Sequence, residues 1–343
     1  LPGVLTALGY AEIHYKFRLP CSPLFRSEPE LIVDAPYMVG RSKKAPLFLV
    51  GRDCNRFPVR IVALECDIRK IGGISIIQKI ESNLEWREPF HYCEWELSLP
   101  EDPGEYSVNV RVDWEPLSSR KRGKTRSLIN SNLPTLGPMP LLIRRLGHPS
   151  PVPSHWKGGD LHLHTTATSS PVEFGGDPAM LQRAAEAIGL DWFACTDHSY
   201  DFSYQSDDYR QLCDPQAKRD ALLQQLSSLD PGGPLPVYGE EVSCGNVFGE
   251  NVHLLVLGNR EHIEGNGDGG RRWFNNRPEL TIPEVIERAQ GLPCWAAHPK
   301  TKMGLLEKII FRRGQWHPED LHPGLTGLQF WNGNTGIDFL MGR

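Results

Sequence analysis

Two histidines lie two residues apart in Asp160-Leu161-His162-Leu163-His164, a spacing that could do metal chemistry. On a strand, alternate side chains share a face, so His162 and His164 point the same way. Two imidazole nitrogens placed so can grip one metal ion, or one each of two neighbouring ions. Asp160 shares that face and is placed to accept a ring N–H, which would fix the ring. Thr196-Asp197-His198-Ser199 follows a buried apolar run. Asp and His are costly to bury unpaired, so packing alone does not explain them there. His198 is the better ligand candidate; Asp197 could orient it, bridge to a metal, or move a proton as the catalytic group. Gly239-Glu240-Glu241 adds carboxylates, Asn251-Val252-His253 an imidazole, and Ala296-Ala297-His298-Pro299 another. These are residue types that bind a borderline divalent ion. Five histidines and one carboxylate recur at matching places in successive units, which points to one metal site.

Such residues need elements that bring them to one rim. From Trp156 onward the chain alternates strand-like and helix-like stretches, the pattern of an α/β layer or barrel. Residues 160–164, 190–196, 236–238, 252–257, 293–297 and 326–331 read as strands. Asp177-Pro178 and Asp214-Pro215 each open a helix with an N-cap and an N1 proline. The first carries Met180, Leu181, Ala184, Ala185 and Ile188 on one face and ends at Gly189; the second repeats Leu222, Leu223, Leu226 and Leu229. Residues 281–290, with Pro283 in the first turn, make a third helix. In a barrel the C-terminal ends of the strands converge on one mouth, where the chemistry is done.

A chain of 343 residues exceeds what one core usually serves, so two domains are expected. Residues 1–116 read as an all-β domain, with strands at 46–50, 59–64, 92–99 and 106–112. In the last of these Tyr106, Val108, Val110 and Val112 share one face, as a half-buried strand requires. An immunoglobulin-like sandwich is the expectation. Residues 117–155 read as a linker, because Pro134, Pro138, Pro140, Pro149, Pro151 and Pro153 interrupt regular structure. Residues 156–343 are then the α/β domain.

The motif series Asp160-Leu161-His162-Leu163-His164-Thr165, Thr196-Asp197-His198, Gly239-Glu240-Glu241, His253 and His298-Pro299 resembles that of the PHP (polymerase and histidinol phosphatase) family. The lead-in Trp156-Lys157-Gly158-Gly159-Asp160 and the β domain before it are most similar to the carbaryl hydrolase-like branch. The resemblance spans about residues 156–333. It implies a distorted seven-stranded β/α barrel holding two or three Zn, Mn or Fe ions. It also implies metal ligation by His162, His164, His198, Glu241, His253 and His298. Glu241 matches rather than Glu240, because the family's carboxylate stands two after the glycine. The family has an acidic or histidine residue shortly after its first pair, where this chain has Thr168, Ser169, Ser170 and Pro171, with Glu173 a substitute. It also ends on a Gly-x-Asp-x-His segment bearing two further ligands, and none follows Trp331, so the barrel is expected to be C-terminally incomplete.

The implied reaction is hydrolysis by a metal-activated water, with phosphoesters the leading substrate class. A carboxyl ester or carbamate hydrolase on the same site, or a metal-binding module without catalysis, are the alternatives. An amidohydrolase also begins with a His-x-His strand, but is expected to carry a bridging carbamylated lysine late in its barrel. Lys300, Arg312 and Arg313 could bind a phosphate. A net charge of -5 argues against nucleic acid as partner, and the basic run at residues 120–126 reads as a solvated loop. No apolar run reaches the ~20 residues of a membrane helix. The chain starts at Leu1 without a visible leader, so a fragment or processed form is expected. Its eight cysteines are scattered without CxxC pairs, which favours reduced thiols and a cytoplasmic setting. Sequence leaves the oligomeric state open.

Overall fold

The structure, a computed structural model, describes residues 28–40, 44–118, 123–132, 139–148, 152–153, 155–168, 175–206, 211–267, 276–300, 308–309 and 312–329. Strands predominate in this mixed α/β chain, with three α-helices among the described residues.

The N-terminal part is built from two sheets. One is antiparallel, in the order β1 (Glu30–Asp34), β3 (Ala45–Arg52), β6 (Phe90–Leu97). The other runs β2 (Met38–Val39), β9 (Leu141–Arg145), β7 (Gly104–Pro116), β4 (Val59–Lys70), β5 (Ser75–Trp86), with β8 (Arg126–Ile129) also paired to β7. Tyr106, Val108, Val110, Val112 and Trp114 are buried along β7 at the expected period of two. They share one core with Leu31, Val33, Leu47 and Leu49 of the smaller sheet. Between β4 and β5 the chain reverses at Gly72, whose φ of 79° lies in the region a side chain disfavours.

Residues 117–155, expected as a linker, contain both β8 and β9. Ile143 explains why: it is buried to 1% exposure, opposite Tyr106, so the short run Leu141–Arg145 completes the sheet despite its proline neighbours. A proline outside the strand itself removes no ladder hydrogen bond. Strand β5 carries little sequence signal, because many of its residues face solvent, which blurs the alternation.

The C-terminal part is an open six-stranded sheet, half of a barrel, in chain order β10 (Gly159–Leu163), β11 (Trp192–His198), β12 (Leu235–Gly245), β13 (Asn251–Leu257), β14 (Cys294–Ala296), β15 (Gly327–Leu328). β10, β11 and β12 are parallel, β13 is antiparallel to both its neighbours, and β14 and β15 are parallel again. A seven-stranded closed barrel is not what the described residues form. The expected strand at 326–331 is only Gly327–Leu328 here, and positions 330–343 lie outside the described residues.

Helix α1 (Pro178–Ile188) starts where Asp177 accepts the Ala179 N–H, and stops where Gly189 adopts a φ of 90°. Helix α2 (Pro215–Ser227) is capped alike by Asp214 and buries Leu222 and Leu226. Both cover the face of the sheet carrying Phe193, Cys195 and Tyr238. Helix α3 (Ile282–Arg288) begins at Thr281, whose N–H donates to Glu284 at 2.7 Å, and packs Ile282 and Val285 near Val242 and Val256.

Phe48 and Val50 of β3 pack on Met180 of α1, and the Gly40 N–H donates to the Ala187 carbonyl at 3.0 Å. A cleft of about 420 Å³ opens at this junction, lined among others by Arg52, Phe90, Thr166, Thr168 and Asp177. No helix among the described residues is long and apolar enough to cross a membrane. The seven described cysteines are free thiols, five of them buried; Cys21 lies outside the described residues.

Candidate metal centre

Strand β12 sets the centre. Side chains alternate along it, so Tyr238 and Glu240 face one side and Gly239 and Glu241 the other. Gly239 is required by close packing: a Cβ there would lie 2.7 Å from the Val256 carbonyl oxygen and 2.9 Å from Thr196. Glu241, 1% exposed, projects to the face on which the neighbouring strands place their histidines.

Five imidazoles converge on its carboxylate. Oε2 is 3.2 Å from His162 Nε2, 3.1 Å from His164 Nε2 and 3.1 Å from His198 Nδ1. Oε1 is 2.7 Å from His253 Nδ1 and 3.0 Å from His298 Nε2. Burial by itself would raise the Glu241 carboxyl, but the facing imidazoles of His162, His253 and His198 outweigh it and hold the group well below the usual carboxylate range. Burial keeps His298 below the ordinary histidine value, with Glu241 pulling the other way. His164 and His298 have the most exposed side chains of the ring, at 14% and 22%, and mark its open side.

The six residues named as ligands from the sequence are therefore brought together. The donor atoms of five of them sort into two groups that could each hold a metal ion: His162, Glu241 and His298, and His164, His198 and Glu241. His253 belongs to neither group and meets Glu241 through its Nδ1, 2.7 Å from Oε1. Glu241 belongs to both groups.

Asp197 is not part of this ring. It sits one residue before His198 on β11, so its side chain leaves by the opposite face. Its Oδ1 accepts the N–H groups of Thr165 and Thr168 at 2.7 and 3.0 Å, and its Oδ2 accepts the Thr165 hydroxyl at 2.8 Å. The carboxylate anchors the loop after β10. Asp160 likewise takes a backbone partner, the His162 N–H at 3.1 Å, rather than an imidazole. Glu240 lies on the far face, where it accepts the Tyr238 hydroxyl at 2.5 Å and the Ile263 N–H at 3.0 Å. Lys300 donates to the Trp316 carbonyl at 2.9 Å. Glu173, considered as a replacement ligand, lies outside the described residues.

Three residues not named as ligands from the sequence line the ring from behind. Thr168 Oγ1 is 3.1 Å from His164 Nδ1 and accepts the His198 N–H at 3.3 Å. It stands where the family resemblance led to an acidic or histidine ligand. Tyr200 stacks on His198, with centroids 4.8 Å apart and planes 14° off parallel. Gln329 Oε1 lies 3.0 Å from His162 Nδ1. That contact joins the first strand of the sheet to the segment just after the last, so the two edges meet at this rim. Lys218 ties the rim together further out, donating to the carbonyls of Ala167, Asp201 and Tyr204 at 2.8 Å each.

No family model, no curated protein and no solved structure matches this chain.

Proposed function

We propose that this chain is a metal-dependent hydrolase of the PHP type, a phosphoesterase whose dinuclear centre is built on Glu241, with an immunoglobulin-like module ahead of it. The observation that carries this reading is the way lone pairs face each other. A neutral His162 that gives its Nδ1 proton to Gln329 presents a bare Nε2 to Glu241 Oε2 at 3.2 Å and to His164 Nε2 at 3.2 Å. Two lone pairs aimed at one small volume, the Nε2 of His162 and the Oε2 of Glu241, repel unless a cation or a proton lies between them. Histidine nitrogens with a shared carboxylate are the donors that Zn, Mn or Fe prefer.

The chemistry divalent ions supply in such a site is activation of a water and neutralisation of charge on ester oxygens. The chain's own residues do the rest. Glu241 holds the two positions at a common carboxylate, and the imidazoles, neutral as ligands, add no negative charge. One carboxylate among six donors leaves most of the charge of two divalent ions uncompensated, which suits a phosphate ester better than a neutral carboxyl ester. His164 and His298 border the open side, where substrate approaches. Asp197 keeps the Thr165–Thr168 loop in place and so keeps Thr168 against His164 and His198.

The test is elemental analysis of the full-length protein, then hydrolysis of a chromogenic phosphoester panel with and without chelator. Two equivalents of divalent ion and chelator-sensitive phosphoester turnover are expected. A full-length protein that binds no divalent ion would sink the reading, and turnover of carboxyl esters or carbamates alone would move the substrate class there.

A further inference from the structure

Each of the two ligand groups is backed by one neutral polar side chain that touches both of its histidines. Gln329 Oε1 accepts the backbone N–H of His298 at 2.9 Å and stands 3.0 Å from the Nδ1 of His162. A backbone N–H can only donate, so the amide atom that meets it is the oxygen. That oxygen can only accept, so His162 Nδ1 carries the proton and its Nε2 carries the lone pair turned inward. The same hydrogen bond holds His298 at a φ of 28°, where a side chain is disfavoured. Thr168 plays the corresponding part for the other group, through His164 Nδ1 at 3.1 Å and the His198 N–H at 3.3 Å.

Resting on the reading of this cluster as a dinuclear centre, we propose that Gln329 and Thr168 are separate positioning residues, one for each metal position. Gln329 builds the His162–Glu241–His298 position by setting a tautomer and fixing a strained backbone. Thr168 builds the His164–His198–Glu241 position. Both partners are uncharged, so each position is oriented from behind without added negative charge. The two positions are therefore tuned one at a time, although they share Glu241.

Zinc titration of chelator-stripped, full-length protein against a chromogenic chelator tests this, with thermal unfolding as the control for folding. Wild type takes up two equivalents. Gln329→Leu weakens one of them about 10–100-fold and leaves the other within about twofold. Gln329→Glu keeps an acceptor in place and restores it. Thr168→Val weakens one equivalent by a similar factor. In a His298→Ala background, which removes the first position, Gln329→Leu has no further effect while Thr168→Val still does. Equal weakening of both equivalents by Gln329→Leu, or no rescue by Gln329→Glu, overturns the proposal while leaving the metal centre itself standing. Absence of zinc uptake by wild type removes the centre, and the division of labour with it.

Discussion

Glu240 and Glu241 are adjacent in the chain and turned to opposite faces of β12, one toward Tyr238 and the backbone of Ile263, the other toward five imidazoles. The same substitution at the two positions should therefore do different things. Glu241→Gln is expected to lose both metal equivalents and to cut hydrolysis about 100-fold or more. Glu240→Gln sets an amide NH2 against the donors of a buried network. It should lower unfolding stability by about 1–3 kcal/mol with metal content unchanged. Elemental analysis beside denaturant melts separates the two outcomes, and a loss of metal from Glu240→Gln would contradict the assignment of faces.

Asp197 offers a second contrast. As the anchor of the loop after β10 it accepts three hydrogen bonds, and Asp197→Asn removes the charge that strengthens them and forces the Thr165 hydroxyl to turn from donor to acceptor. Stability should fall by about 1–3 kcal/mol, and zinc affinity should fall with it because Thr168 loses its position. If turnover collapsed while the melting temperature and the metal affinity held, Asp197 would instead be moving a proton.

Metal should also stabilise the fold. Ligands drawn from β10, β11, β12 and β13 come together only in the folded chain, so ions bind the native state selectively. At a free concentration 100 times the dissociation constant, one site contributes about 2.7 kcal/mol. Differential scanning calorimetry of stripped protein with rising zinc or manganese should show the melting point climbing, and a flat response would count against the centre.

The buried thiols give a pH dependence unconnected with the site. Burial pushes Cys54 up to about 12, and Cys66 and Cys294 up to about 11. An unfolded thiol ionises near ~8.5. The folded state therefore keeps protons that the unfolded state gives up, so stability is full below that value and declines as pH rises toward 11 to 12. Urea midpoints should fall between pH 8 and pH 10.5, with a shallower slope in Cys66→Ala, and thiol-reactive dye should label these cysteines only as the protein unfolds.

Much of the centre is legible in the sequence because ligand residues follow strand ends. Asp177-Pro178 and Asp214-Pro215 mark the helix starts to the residue. His253 is instructive, since it lies at the beginning of its strand. In a wholly parallel sheet that would put it at the wrong end, but β13 runs antiparallel and brings its start to the mouth. The choice between Glu240 and Glu241 follows from the period of two once the strand's direction and length are known; the apparent strand at 236–238 is too short to carry the period to them. Gln329 is silent because an amide at a strand end is ordinary surface chemistry until a partner far away in the chain is known, whereas Thr168 shows only as a departure from the family's ligand pattern. β9 was hidden by its flanking prolines, which bracket a strand as readily as they break one.

The reversal of β13 also divides the ring into a near part and a far part. Glu241 and His253 are 12 residues apart on one hairpin, whereas His162 and Gln329 are separated by 167. The hairpin carries its pair without help from the sheet's margins, while the seam between the first strand and the last has only long-range contacts to hold it. Breathing of the rim should begin at that seam, so ions would exchange through it rather than past the hairpin. Amide hydrogen exchange should accordingly be faster at the Gln329 N–H, bonded to the Ala296 carbonyl at 2.9 Å, than along β12 and β13, and should slow there first when zinc is added.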